Sequence, residues 1–314
     1  MEKKLVSVVI PAYNEELCIP ELAKRLSDVF KIENAYDFEV VFVENGSSDS
    51  SWELLKELSL SDNRFKVLRL SRNFRMDGGL TAGIDAIKGD ACVLMTADLQ
   101  DPPEFIHDLL RKWESGYKNV YGIVTKRTGT KFIRRVNSQA FYFIANLLTD
   151  GKIPRNVSDF RLVDKSVYLS VRELRERNRF VRGLFSWIGF SSIGIPMVRA
   201  ERFAGESKAH SMKVIDLAFK GIFAHSYKPL KLITIIGLAL STISTLAIFP
   251  LIFLWIFSGV PFAGFGTLVT LILLLISFLF LTLGIIGEYV GLIYEEVKQR
   301  PNYIVSEQIG INIE

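Results

Sequence analysis

Cysteine and histidine are scarce in this sequence, with two cysteines and three histidines in 314 residues. Two cysteines cannot build a disulfide framework, and both Cys18 and Cys92 fall in predicted core elements, so we expect a reducing compartment. The spacing of His107, His210 and His225 is not that of a metal site, and we interpret all three as structural. The net charge of +4 is too modest to favour nucleic acid as a partner.

Two nucleotide-binding motifs and a signal peptide are also absent. No Gly-x-Gly-x-x-Gly follows the first predicted strand, which disfavours a dinucleotide dehydrogenase. No Gly-Lys-Ser/Thr loop occurs, which disfavours a P-loop NTPase. The first apolar run is only a few residues long and ends at Pro11, so we do not expect it to be a secretory signal.

Charge is missing from residues 232–287. A transmembrane helix needs about 20 apolar residues, so this stretch predicts two, near 232–257 and 265–286, with an interruption at 258–264. A pair of soluble core helices would carry charge on one face. Basic residues lie on both outer flanks, which by the positive-inside rule predicts a multi-pass protein of the plasma membrane with its catalytic domain and both termini in the cytoplasm: Lys220, Lys228, Lys231, Lys298 and Arg300.

The first half of the chain alternates short apolar runs with helical stretches. This alternation predicts βαβ units and an α/β fold with a mostly parallel sheet. Polar clusters follow the strands, and in a parallel sheet they gather at the edge where ligands bind. The predicted strands lie at 6–10, 39–43, 65–70, 91–95 and 120–124.

The segment after the fourth predicted strand carries the strongest site signal. Asp98 and Gln100 supply a carboxylate and an amide oxygen two positions apart, ligands that suit Mg²⁺ or Mn²⁺ bridging a diphosphate. Thr96 stands where a second carboxylate is expected, and its hydroxyl can meet a ribose hydroxyl. Glu44, which ends the second strand, can accept a hydrogen bond from a uracil N3–H.

Several motifs in order resemble the family 2 glycosyltransferases with a GT-A fold. These are SVVIPAYNEE at 7–16, VENGSSD at 43–49, LSRNF at 70–74 and ADLQDPPE at 97–104. Three later motifs narrow the resemblance to the bactoprenol-phosphate glucosyltransferase branch, which is related to dolichol-phosphate mannose synthase: SDFRLV at 158–163, AERFAGESK at 200–208 and GEYVGLIYEEVKQRP at 287–301.

The resemblance implies roles for particular residues. Asp98 and Gln100 would bind the divalent cation, Mg²⁺ or Mn²⁺, and we take Asp98 and Asp159 as the candidate catalytic residues. It further implies a UDP-sugar donor, a polyprenyl phosphate acceptor and a GT-A domain followed by a two-helix transmembrane hairpin. The donor would be lined by Pro11, Ala12, Tyr13, Glu15, Glu44, Asn45, Thr96, Ala97 and Asp98.

The sequence departs from the wider family at two places. Glu44-Asn45-Gly46-Ser47 replaces the usual Asp-Asp-Gly-Ser, which keeps one carboxylate on a longer arm. Thr96-Ala97-Asp98 replaces Asp-Ala-Asp, which removes one charge near the cation. We favour a ribose contact for Thr96, because Asp98, Gln100 and the diphosphate can still supply oxygens to the metal.

The expected acceptor sets the chemistry. A phosphate monoester has a second pKa of about 6, so it is already a nucleophile at neutral pH, and direct displacement would invert the sugar. Asp159 would align the acceptor or a sugar hydroxyl, and a general-base role is less necessary. The acceptor phosphate needs cationic partners, for which the candidates are Arg127, Arg134, Arg135, Arg202 and Lys208.

The predicted organisation has four parts. A GT-A domain spans 1–210, an amphipathic juxtamembrane segment 211–230, the two membrane helices 231–293 and a cytoplasmic tail 294–314. The small residues Gly284, Gly287 and Gly291 favour close helix packing and hence a homo-oligomer, while Glu288 among them could equally mark only the membrane boundary.

Three function classes follow from the sequence. The first is transfer of a hexose, with glucose favoured and galactose or an N-acetylhexosamine open, from a UDP-sugar to undecaprenyl phosphate. The second is a processive membrane polysaccharide synthase, although the Gln-x-x-Arg-Trp motif expected for it is missing. The third is a non-catalytic nucleotide-sugar-binding protein, motivated by the charge lost at Thr96.

Overall fold

The computed structural model describes residues 3–127, 157–200, 203, 230–231, 233–240, 242–243, 246, 253, 257 and 264–311. The predicted alternation of strands and helices is confirmed. The elements are β1 (Lys4–Ala12), α1 (Ile19–Ile32), β2 (Tyr36–Glu44), α2 (Ser51–Ser61), β3 (Phe65–Leu70), α3 (Arg75–Ala86), β4 (Ala91–Leu94), α4 (Ile106–Glu114), β5 (Asn119–Arg127), β6 (Val157–Asp164), α5 (Lys165–Glu173), α6 (Val181–Trp187), β7 (Ser192–Arg199), α7 (Phe265–Lys298) and β8 (Val305–Ile309).

Eight strands form one sheet in the order β7-β5-β6-β4-β1-β2-β3-β8. The centre, β3-β2-β1-β4, is parallel throughout. β6 runs antiparallel between β4 and β5, and β8 runs antiparallel along β3. The carboxyl ends of β1, β2 and β4 therefore meet at one edge, as the sequence predicted.

Strands β1, β2 and β4 are buried on both faces over most of their length, which explains their apolar runs at 8–10, 40–43 and 91–94. Val8 on one face packs in a core with α1, α2 and α4, whereas Val9 on the other packs with α3, α5 and α6. α3 lies especially close to the sheet, because a Cβ at Gly83 would collide with the Val9 side chain and lie 3.2 Å from Val43 Cγ2. Helices on both faces of a parallel sheet are typical of α/β enzymes.

α7 is a continuous helix of 34 residues, about 50 Å long at 1.5 Å per residue. Its segment Leu274–Lys298 is long and apolar enough to cross a membrane and is exposed along its length. Within the part of the chain that the structure describes, this is the single helix that meets that test. The positions described between 230 and 257 are helical, and the two-helix hairpin stays a prediction.

The chain after α7 returns to the α/β domain. Tyr303 donates its hydroxyl to Asp85 Oδ2 at 2.9 Å, and the Ser71 N–H donates to the Ile304 carbonyl at 2.9 Å. β8 then pairs with β3 at the edge of the sheet. The segment that the sequence marked only as a tail thus supplies the eighth strand.

Candidate active site

Two loops at the carboxyl ends of β1 and β2 are joined by hydrogen bonds. The Asn14 N–H donates to Ser47 Oγ at 3.0 Å, and the Ser48 N–H donates to Asn14 Oδ1 at 2.8 Å. Pro11 and Ala12, both buried, stand opposite Val43 and Glu44 in the parallel register. Tyr13 and Glu15 follow on the first loop and are half-buried. The predicted donor residues of these strands therefore lie side by side.

Glu44 is fully buried at the end of β2. Its Oε1 accepts a hydrogen bond from the Ser47 N–H, and its Oε2 lies 3.3 Å from Arg69 Nε. Among the described residues, Oε2 receives no hydrogen bond. Oε2 has almost no exposed surface, and a buried oxygen without a hydrogen bond is costly, so the N3–H of a uracil that reached it would supply the missing bond.

The Asn45 side chain makes two hydrogen bonds to the backbone at the start of α3. Its Oδ1 accepts from the Phe74 N–H at 3.1 Å and its Nδ2 donates to the Arg75 carbonyl at 3.0 Å. These bonds hold the turn at the start of α3, where Arg75 has a φ of 63°. The predicted donor contact of Asn45 would have to coexist with this role.

The loop after β4 bends sharply at Leu99, whose φ of 58° is rare for a branched side chain. The bend brings the Gln100 N–H to 3.3 Å from Asp98 Oδ1, which also accepts from Thr96 Oγ1 at 2.7 Å. Asp98 is 7% exposed, and Ala97 beside it is buried. Strain of this kind concentrates at functional sites.

Asp101 is a site residue that sequence reasoning missed. It is fully buried, 3.0 Å from Thr96 Oγ1, 3.3 Å from Ser158 Oγ and 3.2 Å from Arg199 Nε. Burial raises the pKa of the Asp101 carboxyl. Since the Thr96 hydroxyl has a single hydrogen to share between Asp98 and Asp101, a proton on Asp101 would complete this group of polar contacts.

Asp159 lies in β6, one residue beyond the Ser158 that contacts Asp101. Arg182 from α6 binds its carboxylate in a bidentate manner, with Nε at 2.8 Å and Nη2 at 2.5 Å. Burial would raise the pKa of Asp159, but the charges of Arg182, Arg161 and Arg199, with the hydrogen bonds from Arg182, together outweigh it and the pKa is lowered overall. Asp159 is thus an ionised, oriented carboxylate, and Arg182 is a second residue that the sequence did not single out.

The predicted acceptor cations are placed only in part. Arg127 ends β5 opposite Arg199 in β7, and its side chain is not among the described ones. The Ala200 N–H donates to the Gln100 carbonyl at 3.1 Å, so Ala200, which precedes Arg202 and Lys208 in the sequence, lies beside the predicted metal-binding loop. The other four candidates lie outside the described residues: Arg134, Arg135, Arg202 and Lys208.

The donor atoms at this edge suit a hard cation. A carboxylate from Asp98 and the amide oxygen of Gln100 are oxygen ligands of the kind that Mg²⁺ and Mn²⁺ take. Across the described ranges there is no cluster of three or more acidic, histidine or cysteine side chains that could hold a metal alone. A bound diphosphate would have to complete the coordination.

His107, which we interpreted as structural from the sequence, pairs with Glu33 at 2.8 Å.

A sequence model of Glycosyl transferase family 2 matches residues 7–171. The chain belongs to this family. It is 43% identical over 305 residues to the uncharacterized glycosyltransferase YkcC of Bacillus subtilis, covering 97% of this chain and 94% of that protein. It is 37% identical to the SfII prophage-derived bactoprenol glucosyl transferase of Shigella flexneri, covering 96% and 97%. The predicted resemblance to family 2 and to this branch is confirmed, and the protein is a family 2 glycosyltransferase.

Among solved structures, this family 2 chain is similar to glucosyl-3-phosphoglycerate synthase of Mycobacterium tuberculosis, crystallised with Mn²⁺, UDP and glucosyl-3-phosphoglycerate. The TM-score is 0.47 with 19% identity, covering 70% of this chain and 78% of that one.

Proposed function

We propose that this glycosyltransferase moves a hexose, with glucose favoured, from a UDP-sugar to the phosphate of undecaprenyl phosphate at the cytoplasmic face of the membrane. The proposal rests on one observation, which is that two features occur in the same chain. A sheet edge bearing Glu44, Asp98 and Asp159 suits a nucleotide sugar, and α7 contains the exposed segment Leu274–Lys298, which is long and apolar enough to cross a membrane. The near full-length similarity to a protein named bactoprenol glucosyl transferase supports the same acceptor class.

The donor would lie along the ends of β1, β2 and β4. Glu44 would accept from the uracil N3–H through Oε2, and Thr96 would meet the ribose. Asp98 and Gln100 would hold Mg²⁺ or Mn²⁺, which when bound neutralises charge on the diphosphate leaving group. The remaining wall would be formed by Pro11, Ala12, Tyr13, Glu15, Asn45 and Ala97.

The acceptor phosphate needs orientation more than deprotonation. Its second pKa is about 6, so a dianion is the main form at neutral pH. A phosphate oxygen forms a bond to the anomeric carbon as the bond from that carbon to the UDP oxygen breaks, which inverts the sugar. Asp159 stays ionised beside Arg182, and this supports an aligning role for its carboxylate. Charge for the acceptor would come from Arg127, Arg134, Arg135, Arg202 and Lys208.

A transfer assay with the purified full-length chain tests the proposal. With labelled UDP-glucose, undecaprenyl phosphate and Mn²⁺ or Mg²⁺, we expect a chloroform-soluble lipid from which mild acid releases a monosaccharide. A polymeric product would support a processive synthase instead. Lack of turnover with every sugar in a donor panel would support a binding protein.

The variant Asp98→Ala tests the predicted metal ligand in the same assay. Loss of the carboxylate should lower kcat by at least about 100-fold, the usual order for removing a group that stabilises transition-state charge, while the protein still inserts into membranes. Asp28→Asn, which breaks an exposed pair with Lys31, is the control and should keep full activity. Full activity in Asp98→Ala would refute the metal-site assignment.

A further inference from the structure

The carboxyl-terminal strand lies next to the buried end of the donor site. In the parallel register of β2 and β3, Glu44 stands opposite Arg69. In the antiparallel register of β3 and β8, Arg69 stands opposite Glu307. The three side chains therefore form a row across the sheet, from the central strand β2 to its last strand.

The guanidinium of Arg69 is fixed from three sides. Its Nε lies 3.3 Å from Glu44 Oε2, and its Nη1 donates to Glu307 Oε1 at 2.8 Å. Its Cζ stands 4.6 Å from the centre of the Trp52 ring, within the range of a cation–π interaction. The Arg69 side chain is 31% exposed. Of its two carboxylate partners, Glu307 is 54% exposed, whereas Glu44 is fully buried.

Glu44 depends on this arginine. A fully buried carboxylate is costly unless a charge and hydrogen bonds compensate it. Ser47 supplies a hydrogen bond to Oε1, while Oε2 lies 3.3 Å from Arg69 Nε in an ion pair whose geometry is not that of a hydrogen bond. Arg69 thus balances the charge of Glu44, while Oε2 has no hydrogen bond of its own among the described residues.

We infer that the carboxyl-terminal strand is part of the donor site: Glu307 holds Arg69, and Arg69 positions Glu44 for the nucleotide base. Arg69 and Glu307 are positioning residues, because they act through Glu44. The inference rests on the proposed use of a uridine nucleotide. It gives the segment that follows α7 a role in substrate binding as well as in closing the sheet edge.

Binding of UDP with Mn²⁺ to the purified full-length protein tests this, measured by calorimetry beside the steady-state kcat and KM. Exposed ion pairs contribute little, so Glu307→Gln should raise the UDP Kd and the donor KM by about two- to five-fold with kcat unchanged. Arg69→Gln should raise both by about ten-fold or more, because it leaves the buried Glu44 uncompensated. Arg69→Lys keeps the charge but loses the planar, forked guanidinium, so its Kd and KM should lie between those of Glu307→Gln and Arg69→Gln.

The double variant and a control complete the experiment. If Glu307 acts through Arg69, Glu307→Gln combined with Arg69→Gln should bind UDP no more weakly than Arg69→Gln alone. Asp62→Asn breaks a similar pair with Arg64 beyond the other end of β3 and should bind like the natural protein. Additive losses, or a Kd for both single variants equal to that of Asp62→Asn, would overturn the inference.

Failure of the proposed function would look different. A natural protein that binds UDP with this pattern of variants but transfers no sugar to undecaprenyl phosphate would refute the acceptor and leave the inference standing. A natural protein that binds no uridine nucleotide would refute both.

Discussion

Thr96 lies between two carboxyl groups, with its hydroxyl 2.7 Å from Asp98 Oδ1 and 3.0 Å from Asp101 Oδ2. The family resemblance predicts a carboxylate at this position. Here a second carboxyl group near Thr96 comes from Asp101, which is fully buried and follows later in the same loop. A hydroxyl at position 96 bridges the two groups, whereas a third carboxylate would repel both.

Restoring the acidic residue by Thr96→Asp should therefore make the fold depend on a cation. Without divalent metal we expect a lower Tm than in the natural protein, because three carboxylates would crowd one loop. Mn²⁺ should then raise the Tm of Thr96→Asp by more than that of the natural protein, since a ligand stabilises the state it binds. Thermal unfolding with chelator and with Mn²⁺ measures both.

Thr96→Ser keeps the hydroxyl and serves as the control, with a small change in either condition. An equal Mn²⁺ shift in Thr96→Asp and the natural protein would mean that position 96 does not reach the cation and meets only the ribose.

Residues at strand ends were predictable, and their buried partners were not. Glu44 comes directly after an apolar run and Asp98 is three residues beyond one, so their place at the sheet edge follows from the order of the strands. The sequence analysis assigned no role to Asp101, and nothing local shows that Ser158 and Arg199 surround it. Contacts across such sequence separations depend on the tertiary fold.

At the scale of elements, α3 and α6 are joined by one carboxylate. Asp77 in the first turn of α3 accepts a hydrogen bond from the Val181 N–H, the first residue of α6, at 3.0 Å. The next residue of α6 is Arg182, which holds Asp159. Burial raises the pKa of Asp77 to about 6, and the charge of Asp159 adds to the rise. This contact is where the stability of the domain should respond to mild acid.

The sign of that response follows from the pKa. A folded-state pKa of about 6, above the ordinary value of 3.8, favours folding most below about pH 4, and this contribution is lost as pH rises through 6. Asp77→Asn is neutral throughout, and its amide oxygen can still accept from Val181. We expect its Tm relative to the natural protein to increase from pH 5 to pH 7.5, by an amount equivalent to on the order of 1 kcal/mol.

Asp62→Asn is a control whose effect on the Tm at neutral pH should not have the sign expected for Asp77→Asn. Arg64 lowers the pKa of Asp62, so the charged form stabilises the fold above pH 4, and its loss should lower the Tm or leave it unchanged at neutral pH. A Tm difference for Asp77→Asn that stays constant with pH would contradict the assignment.

Elements buried on both faces were the ones that the sequence predicted well. β1 contains the apolar run 8–10 and β4 is apolar throughout, because helices cover the sheet on each side. β8 has the sequence VSEQI and is half-exposed at the edge of the sheet, and β7 is also largely exposed. Edge strands carry a weaker apolar pattern, and their pairing depends on where the chain returns in space.

At the scale of the whole molecule, the sheet constrains how the chain can cross a membrane. β1 to β4 precede the apolar region and β8 follows it, yet all five belong to one sheet. The end of α7 is also tied to the domain, since the Arg177 N–H donates to Glu296 Oε1 at 2.7 Å and Arg177 Nη1 donates to the Arg300 carbonyl at 2.8 Å. Both flanks of the apolar region therefore lie on the same side of any membrane that it spans.

This constraint requires an even number of crossings. α7 can supply one, so if it spans the membrane, a second span must lie earlier in the uncharged stretch 232–287, and the predicted helix near 232–257 is where we expect it. The turn at 258–264 would then face outward. Cys18 and Cys92 are both buried and should not react with a large reagent, so added cysteines can report the topology.

A membrane-impermeant maleimide applied to intact cells should label Ser258→Cys in the turn and spare Ser61→Cys, which is exposed at the end of α2. After permeabilisation both should react, and the natural protein should react in neither condition. Labelling of Ser61→Cys in intact cells would place the catalytic domain outside. If Ser258→Cys reacts only after permeabilisation, the turn does not reach the outer face, and a hairpin that spans the membrane is wrong. In either case the single sheet would still hold the chain before and after the apolar region together, because the pairing of β8 with β3 does not depend on the membrane.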